Sequence, residues 1–260
     1  MPALISPGKH SKLWKVWRRT GQGRGELFFL EHKEAVIESL KSEYSPYQVL
    51  LGMSLYRQDE RRWERLAIES EAHWYLLPDD ELDRVLSVKA SNGLCGVFRP
   101  YPWSREAVLK SGALLITWQI QDPGNLGTLI RSSSGLAGGA VLCVGGCRAW
   151  SSKVARASAG ALLRSPLNQV SVGEGVSVLK NLKEQGFSLF AAVPREGQSA
   201  EHVNWTRRDA IVIGNESHGL PSQVLQMAQP VSLVMTSETE SLNAGVAGSI
   251  LIYERARRKT

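Results

Sequence analysis

Short apolar runs alternate along the chain with longer segments in which apolar residues recur every three or four positions. This alternation predicts strands separated by helices, and hence an α/β protein. In the C-terminal part the apolar runs are nearly continuous, as in "ALLITWQI" and "DAIVIG". Such runs are typical of parallel strands that are buried on both faces of a sheet. The pattern therefore predicts a mostly parallel sheet there.

The predicted C-terminal elements follow one another regularly. Strands are expected at 113–120, 140–146, 187–193, 209–214 and 231–235, and helices at 126–137, 151–161, 174–185, 221–227 and 241–257. Ligands of parallel sheets bind beyond the carboxyl ends of the strands. The loops expected to carry the chemistry are those at 121–126, 194–206, 214–220 and 235–241.

The N-terminal part shows a second, shorter alternation, which predicts a small α/β domain. Its strands are expected at 27–30, 47–53, 73–77 and 93–98, and its helices at 9–19, 32–42, 59–69 and 79–86. Pro100, Pro102 and Gly112 separate the two patterns and predict a linker at about 99–112. We therefore expect two domains, at 1–105 and 106–260.

Composition excludes several protein classes. Of 260 residues, 43% are hydrophobic and 22% charged, which is typical of a folded globular chain. No apolar stretch is long enough to span a membrane and the start lacks an apolar signal core, so we expect no membrane partner and a cytoplasmic location. The three cysteines form no C-x-x-C pair and the five histidines are scattered, so no metal site is expected.

The positive charge is unevenly distributed. Residues 1–25 carry six Lys or Arg and no acid, and residues 123–173 carry five, again without an acid. Segments that carry basic but no acidic residues favour binding of a polyanion such as RNA. The same pattern would also arise on solvent-exposed helix faces whose positive charges are balanced by acidic residues from elsewhere in the fold. The residues expected to contact RNA are Lys9, Lys12, Arg18, Arg19, Arg24, Arg148, Lys153 and Arg156.

The loop "DPGNLGTLIR" precedes a predicted helix. Asn125 is expected to cap that helix, and Gly124 and Gly127 would let another molecule approach its first turn. Arg131 follows nearly two turns later among small residues, where it could extend over a cleft. The alternative is a capped helix with an ordinary surface arginine. The G-N-L-G spacing does not match a dinucleotide-binding fingerprint.

Two further loops carry polar residues at predicted sheet ends. Glu216 lies between Gly214 and Gly219, where its carboxylate could orient a hydroxyl or amine, or accept hydrogen bonds from its own turn. Ser241 is the candidate cap of the last helix, whose small residues, including Gly245 and Gly248, would admit another backbone.

Together and in this order, the three loops resemble the motifs of the SpoU/TrmH family of RNA ribose 2′-O-methyltransferases, in the SPOUT superfamily. The N-x-G-x-x-x-R motif is met by Asn125, Gly127 and Arg131, the G-x-E-x-x-G motif by Gly214, Glu216 and Gly219, and the S-L-N motif by Ser241, Leu242 and Asn243. The resemblance covers residues 112–257. The N-terminal part resembles the small ribosomal-protein-like RNA-binding domain that precedes many of these enzymes.

The resemblance implies a C-terminal trefoil knot, a homodimer and methylation of RNA by S-adenosylmethionine. The cofactor pocket would involve Gly214, Leu233 and Leu242, while Val234 replaces a proline common in the family. The expected catalytic residues are Asn125, Arg131, Glu216, Ser241 and Asn243.

Guanidinium stays protonated, with a pKa above about 12, so the first-motif arginine is expected to clamp a phosphate or stabilise a developing alkoxide. Ribosomal RNA is the favoured substrate. The alternatives are transfer RNA ribose methylation, base methylation, a non-catalytic RNA-binding relative and a metabolic α/β enzyme.

Overall fold

The computed structural model describes residues 4–8, 11–86, 92–101, 103–236, 238 and 240–258. They form two compact units, one of residues 1–101 and 150–163 and one of residues 102–149 and 164–260. Residues 150–163 therefore belong with the N-terminal unit, although they interrupt the C-terminal sequence pattern. Lys9, an expected RNA contact at the start of the first predicted helix, lies outside the described residues.

The first unit contains a four-stranded mixed sheet. Its strands are Phe28–Leu30 (β1), Gln48–Gly52 (β2), His73–Leu77 (β3) and Leu94–Phe98 (β4). Its helices are Lys12–Gly21 (α1), Lys33–Ser39 (α2), Met53–Gln58 (α3), Glu60–Glu69 (α4), Asp79–Leu86 (α5) and Ser152–Ala157 (α8). In the order β1-β4-β2-β3, β4 runs antiparallel to both its neighbours and β2 runs parallel to β3.

Helix α1 is amphipathic. Its apolar side packs on the sheet, and its basic side chains face solvent. Ser11 caps it by accepting a hydrogen bond from Leu13 N at 3.3 Å. Trp17 is fully buried, packs on Tyr75 and donates from Nε1 to Gln48 Oε1 at 2.8 Å. The exposed face carries Lys12, Lys15, Arg18 and Arg19.

The second unit contains a seven-stranded sheet. Its strands are Ala113–Trp118 (β5), Ala140–Val144 (β6), Leu167–Val170 (β7), Ser188–Ala192 (β8), Gln198–Ser199 (β9), Asp209–Ile213 (β10) and Gln229–Ser232 (β11). Its α-helices are Arg105–Leu109 (α6), Pro123–Ser132 (α7), Val172–Glu184 (α9), Ser222–Leu225 (α10) and Ala244–Arg257 (α11). A π-helical turn at Ser133–Ala137 extends α7.

Every paired strand of this sheet is parallel, in the order β7-β6-β5-β10-β8-β11-β9. The predicted mostly parallel sheet is therefore confirmed. Because parallel strands end at one edge, the loops after β5, β8, β10 and β11 all leave the sheet on the same side. The shared edge is where the sequence places its three motifs.

A buried ion pair ties α11 to the opposite edge of the sheet. Arg255 Nε donates to Asp209 Oδ2 at 3.1 Å, and both side chains are almost fully buried. Arg255 Nη2 also donates to the carbonyl oxygen of Gly112 at 2.8 Å. Burial of the guanidinium lowers the pKa of Arg255, while Asp209 opposes that shift. The pair anchors the end of the helix whose beginning carries the third motif.

None of the described helices is both long and apolar enough to cross a membrane. Within the described part of the chain, no group of three or more His, Cys, Asp or Glu side chains is arranged to hold a metal ion.

Candidate active site

A cavity of about 410 Å³ opens at the carboxyl edge of the parallel sheet. The loops after β8, β10 and β11 and the first turns of α11 line it. All three residues expected to hold the cofactor, Gly214, Leu233 and Leu242, are in its wall. Three of the expected catalytic residues line it as well: Glu216, Ser241 and Asn243.

Asn125 joins this group through a hydrogen bond. Its Nδ2 donates to Oε1 of Glu216 at 2.9 Å. The other oxygen, Oε2, accepts a longer bond from the backbone nitrogen of Gln121 at 3.5 Å. Glu216 therefore connects the loop after β5 to the loop after β10 and brings the first and second motifs together.

Helix α7 begins differently from the prediction. Asp122 is its N-cap and accepts from the backbone nitrogen of Asn125 at 2.7 Å, so the prediction that Asn125 caps this helix was wrong. Pro123 occupies the first turn, where its fixed φ is favourable and its missing N–H costs nothing. Because Asp122 does the capping, the carboxamide of Asn125 is available to Glu216.

The prediction that Ser241 caps α11 was also wrong. The cap is Asn243, whose Oδ1 accepts from the backbone nitrogen of Val246 at 3.2 Å. An asparagine in extended backbone satisfies an amide of the first turn as well as a serine does, and it lies directly before the helix. Ser241 instead lines the cavity, two residues before the cap.

The small residues of α11 pack inside their own unit. A Cβ on Gly248 would lie 2.3 Å from Leu129 of α7, and one on Gly245 would lie 3.2 Å from Asn125 Oδ1. Close approach of α7 and α11 therefore requires glycine at Gly248, since the buried Leu129 has little room to move. This packing holds the beginnings of the two helices, and hence Asn125 and Asn243, near each other.

Asn215 is a structural residue of the site that the sequence reasoning missed. Its Nδ2 donates to the carbonyl oxygen of Gln119 at 2.8 Å, and its Oδ1 accepts from the backbone nitrogens of Ser217 and His218 at 2.9 and 3.0 Å. Gln119 adopts a left-handed φ of 54°, unusual for a residue with a side chain. An asparagine directly before the motif glutamate was the available signal, because asparagine favours such turns.

Arg131 has no described hydrogen bond to the other expected catalytic residues. It is exposed in the last turn of α7 and is not among the residues that line the cavity. Its guanidinium makes no hydrogen bond or ion pair with any residue that the structure describes. The arginine is thus available to a ligand from outside the chain.

The pKa of Cys147 reflects the negative charges near the site. Burial first, and then the carboxylates of Asp122 and Glu216, raise the pKa of its thiol to about 11. A thiol beside two carboxylates stays protonated at neutral pH and is a poor nucleophile.

The residues expected to bind RNA are mostly available to solvent. The described members are all exposed: Lys12, Arg18, Arg19, Arg24, Arg148, Lys153 and Arg156. Arg156 Nη2 also pairs with Glu31 Oε1 at 2.6 Å within the first unit, so a phosphate would have to compete with this carboxylate.

Comparison with known proteins places this geometry in a family. The model of the SpoU rRNA Methylase family matches residues 112–253, which include all three motifs. A 23S rRNA (guanosine(2553)-2′-O)-methyltransferase, RlmP of Bacillus subtilis, is 24% identical over 254 residues, covering 96% of this chain and 97% of the relative. An uncharacterized tRNA/rRNA methyltransferase of Synechocystis is 28% identical over 198 residues, 75% of this chain and 71% of the relative.

The fold as a whole is shared with a solved enzyme. The crystal structure of an AdoMet-bound rRNA methyltransferase from Sinorhizobium meliloti aligns with a TM-score of 0.85 at 17% identity and covers 98% of each chain. With the family model matching more than half of the sequence and the motif residues gathered at one edge of a parallel sheet, the chain belongs to the SpoU rRNA Methylase family.

Proposed function

We propose that the protein transfers a methyl group from S-adenosylmethionine to a ribose 2′-hydroxyl of RNA, and that ribosomal RNA is its substrate. The hydrogen bond between Asn125 and Glu216 beside the 410 Å³ cavity carries this proposal, since it unites two motifs at a site large enough for a cofactor. Transfer RNA ribose methylation and a non-catalytic RNA-binding role are the alternatives.

The cavity fits S-adenosylmethionine in size and chemistry. Its volume is within the range of about 300–1,000 Å³ typical of small-molecule sites. Leu233, Leu242 and Ile213 offer apolar surface, and the loop at Gly214 offers backbone polar groups. When bound, the cofactor supplies a methyl group on a positively charged sulfur. The residues that would hold it are Gly214, Leu233 and Leu242.

Methyl transfer to a hydroxyl requires alignment of the acceptor oxygen and removal of its proton. Glu216 orients the carboxamide of Asn125, and Asn125 and Asn243 position the ribose. Arg131 binds a phosphate of the RNA or stabilises the oxygen as negative charge develops on it, because its guanidinium does not give up a proton at neutral pH.

A homodimer explains how an arginine outside the cavity takes part in the reaction. Helix α11 exposes three apolar side chains at helical spacing: Val246 is 48% exposed, Ile250 38% and Tyr253 52%. Such a face is suited to a second copy of the chain. In the dimer that we propose, Arg131 of the partner subunit completes the site.

The remaining family features belong to the same proposal. We propose a trefoil knot in the C-terminal domain, supported by the return of the segment after β11 to the cavity beside the loop after β10. The N-terminal domain, expected at 1–105, holds the RNA through the exposed cations of α1. We place the activity in the cytoplasm, together with its ribosomal RNA substrate.

Mapping of 2′-O-methyl positions in total RNA from cells with and without the gene tests this function. Loss of a position in ribosomal RNA is expected. Loss confined to transfer RNA would favour the first alternative. Unchanged maps, with no heat of S-adenosylmethionine binding by calorimetry, would favour the non-catalytic relative.

A further inference from the structure

A second pocket, here called the tyrosine pocket, lies in the first unit, where β2 and β3 begin and β4 ends. Its volume is about 290 Å³. The side chains that matter for its chemistry are Tyr44, Tyr47, Glu71, His73, Arg99 and Tyr101.

The backbone of this pocket is fixed by the sheet. Tyr47 N donates to the carbonyl oxygen of Val97 at 2.9 Å, and His73 N donates to that of Tyr47 at 3.3 Å. The hydroxyl of Tyr44 donates to the carbonyl oxygen of Arg99 at 2.6 Å. Burial raises the pKa of Tyr44, so this donor keeps its proton. The pocket is therefore preformed.

Aromatic faces in the pocket remain open to solvent. Tyr101 is 53% exposed and Tyr47 is 40% exposed. Tyr101 packs against Tyr44 with ring centroids 5.4 Å apart, and Tyr47 lies 5.8 Å from the ring of His73. Neighbouring rings thus hold each tyrosine in place. Exposed tyrosines that pack against neighbouring rings are suited to stacking on a planar ligand.

The charges in the pocket favour a nucleotide over other planar ligands. The guanidinium of Arg99 lies 4.2 Å from the centroid of the Tyr47 ring and makes no ion pair with a described residue. A stacked arginine of this kind can bind phosphate or stack on a base. Glu71 also lines the pocket and would repel phosphate, but its carboxylate can accept from the amino group of a base. A cationic ligand is disfavoured, because the guanidinium of Arg99 already stacks on the Tyr47 ring and would repel it.

We propose that the tyrosine pocket binds one unpaired nucleotide of the RNA substrate, with the base stacked on Tyr101 and its phosphate at Arg99. This inference rests on the proposed function, since it assumes that RNA is the substrate. The pocket adds base stacking to the phosphate binding expected of α1, and it predicts that the enzyme selects RNA with an unpaired nucleotide other than the methylated one. A proline-rich peptide, which also docks on exposed aromatic rings, is the competing occupant.

Binding of fluorescein-labelled oligo(C) RNA to the full-length protein, followed by anisotropy, tests the pocket. Oligo(C) is chosen because cytosine carries an amino group for Glu71. Tyr101→Ala is expected to weaken binding by about 10- to 100-fold, the usual effect of removing an aromatic side chain that stacks on one base. Tyr101→Phe keeps the ring and should bind within about twofold of the natural chain. Tyr56→Ala, a tyrosine of the same unit outside the pocket, should have no effect.

The salt dependence separates stacking from charge. Tyr101→Ala should leave the slope of log affinity against log salt unchanged, whereas Arg99→Ala should reduce it by about one phosphate contact. A 4-thiouridine RNA should cross-link to Tyr101 or Tyr47 in the natural chain. Equal affinity of Tyr101→Ala and the natural chain, or a cross-link found only outside the first unit, would overturn the proposal.

The outcomes also separate this inference from the proposed function. If ribosomal RNA is methylated normally by Tyr101→Ala with unchanged KM, the pocket proposal fails and the function stands. An increased KM with unchanged kcat supports both. If the natural chain binds a polyproline peptide at the tyrosine pocket and does not bind oligo(C), the pocket proposal is overturned, while S-adenosylmethionine calorimetry still reports on the cavity.

Discussion

Asn125 donates from Nδ2 to Oε1 of Glu216 over 2.9 Å, although the two residues lie 91 positions apart in the chain. Because a carboxylate only accepts hydrogen bonds, this contact fixes which end of the carboxamide faces Glu216 and leaves Oδ1 of Asn125 as an acceptor. Asp122 reinforces the arrangement by capping α7 and holding the backbone of Asn125. The site therefore depends on a short network and not on one residue.

Removal of either partner of this bond should impair turnover to a similar degree. A hydrogen bond to a charged group contributes about 1.5–3 kcal/mol, so Asn125→Ala and Glu216→Ala should each lower kcat by about 10- to 100-fold. Since the two side chains act together, the kcat of the double variant should be no lower than that of the less active single variant. Glu184→Ala, an exposed carboxylate of α9, is the control. Strictly additive losses would contradict a shared role.

Arg131→Ala should abolish turnover while S-adenosylmethionine binding stays within a few fold. The reason is geometric, since Arg131 is exposed and does not line the cavity. Arg131→Lys should recover part of the activity, because lysine keeps the charge but loses the two-pronged geometry. Calorimetry and single-turnover methylation measure the two effects. Loss of cofactor affinity with intact turnover would refute this division of labour.

Alkylation of Cys147 should be slow at neutral pH and accelerate with alkalinity. Burial, Asp122 and Glu216 raise the pKa of its thiol to about 11, so the reactive thiolate should increase nearly tenfold per pH unit from about pH 7 to about pH 9. Asp122→Asn removes a nearby negative charge and should speed the reaction. Cys143, buried and with its pKa raised to about 12, should stay unmodified. A plateau near pH 8 in iodoacetamide labelling would contradict the assignment.

The ion pair between Arg255 and Asp209 at the C-terminal end of α11 should stabilise the folded protein. Arg255→Met leaves the buried carboxylate of Asp209 unpaired and should lower the free energy of unfolding by about 3–5 kcal/mol. Arg257→Met, two residues later, breaks an exposed pair with Glu254 and should cost less than about 1 kcal/mol. Urea denaturation measures both. Asp209→Asn combined with Arg255→Met should recover part of the loss, and equal effects of the two single variants would contradict the account.

The sequence predicts most of the elements that position the site. The strand at 73–77 and the helix at 79–86 are found with those bounds, because each is a continuous periodic segment with turn residues on both sides. The family predicted from three short motifs is confirmed by the match over residues 112–253. Motifs succeed here because each one lies in the segment that follows a parallel strand, and parallel strands end at one edge.

Short elements and helix beginnings were harder to predict. The predicted linker contains α6, and the predictions lacked α3, β7 and β9, since segments of two to six residues have too few positions to show a period. The caps of α7 and α11 were assigned to Asn125 and Ser241, because several polar residues lie close together before each helix. Which side chain accepts from the first turn depends on the tertiary fold and not on the local sequence.

Tertiary placement accounts for the remaining differences. Residues 150–163 group with the first unit, which local periodicity could not indicate. Ser152 Oγ accepts from the backbone nitrogen of Phe29 at 2.9 Å, and Arg156 pairs with Glu31. These contacts join residues 123 and 125 positions apart, so a charge pattern read along the chain missed the partner of Arg156.

The most direct test of the central claim is transfer of radiolabelled methyl from S-adenosylmethionine to ribosomal RNA by the purified protein, followed by alkaline hydrolysis. A 2′-O-methyl group blocks cleavage of the adjoining linkage, so the account predicts that the label is recovered in an alkali-resistant dinucleotide and that Arg131→Ala transfers none. Label recovered only in mononucleotides, which marks methylation of a base, would contradict it.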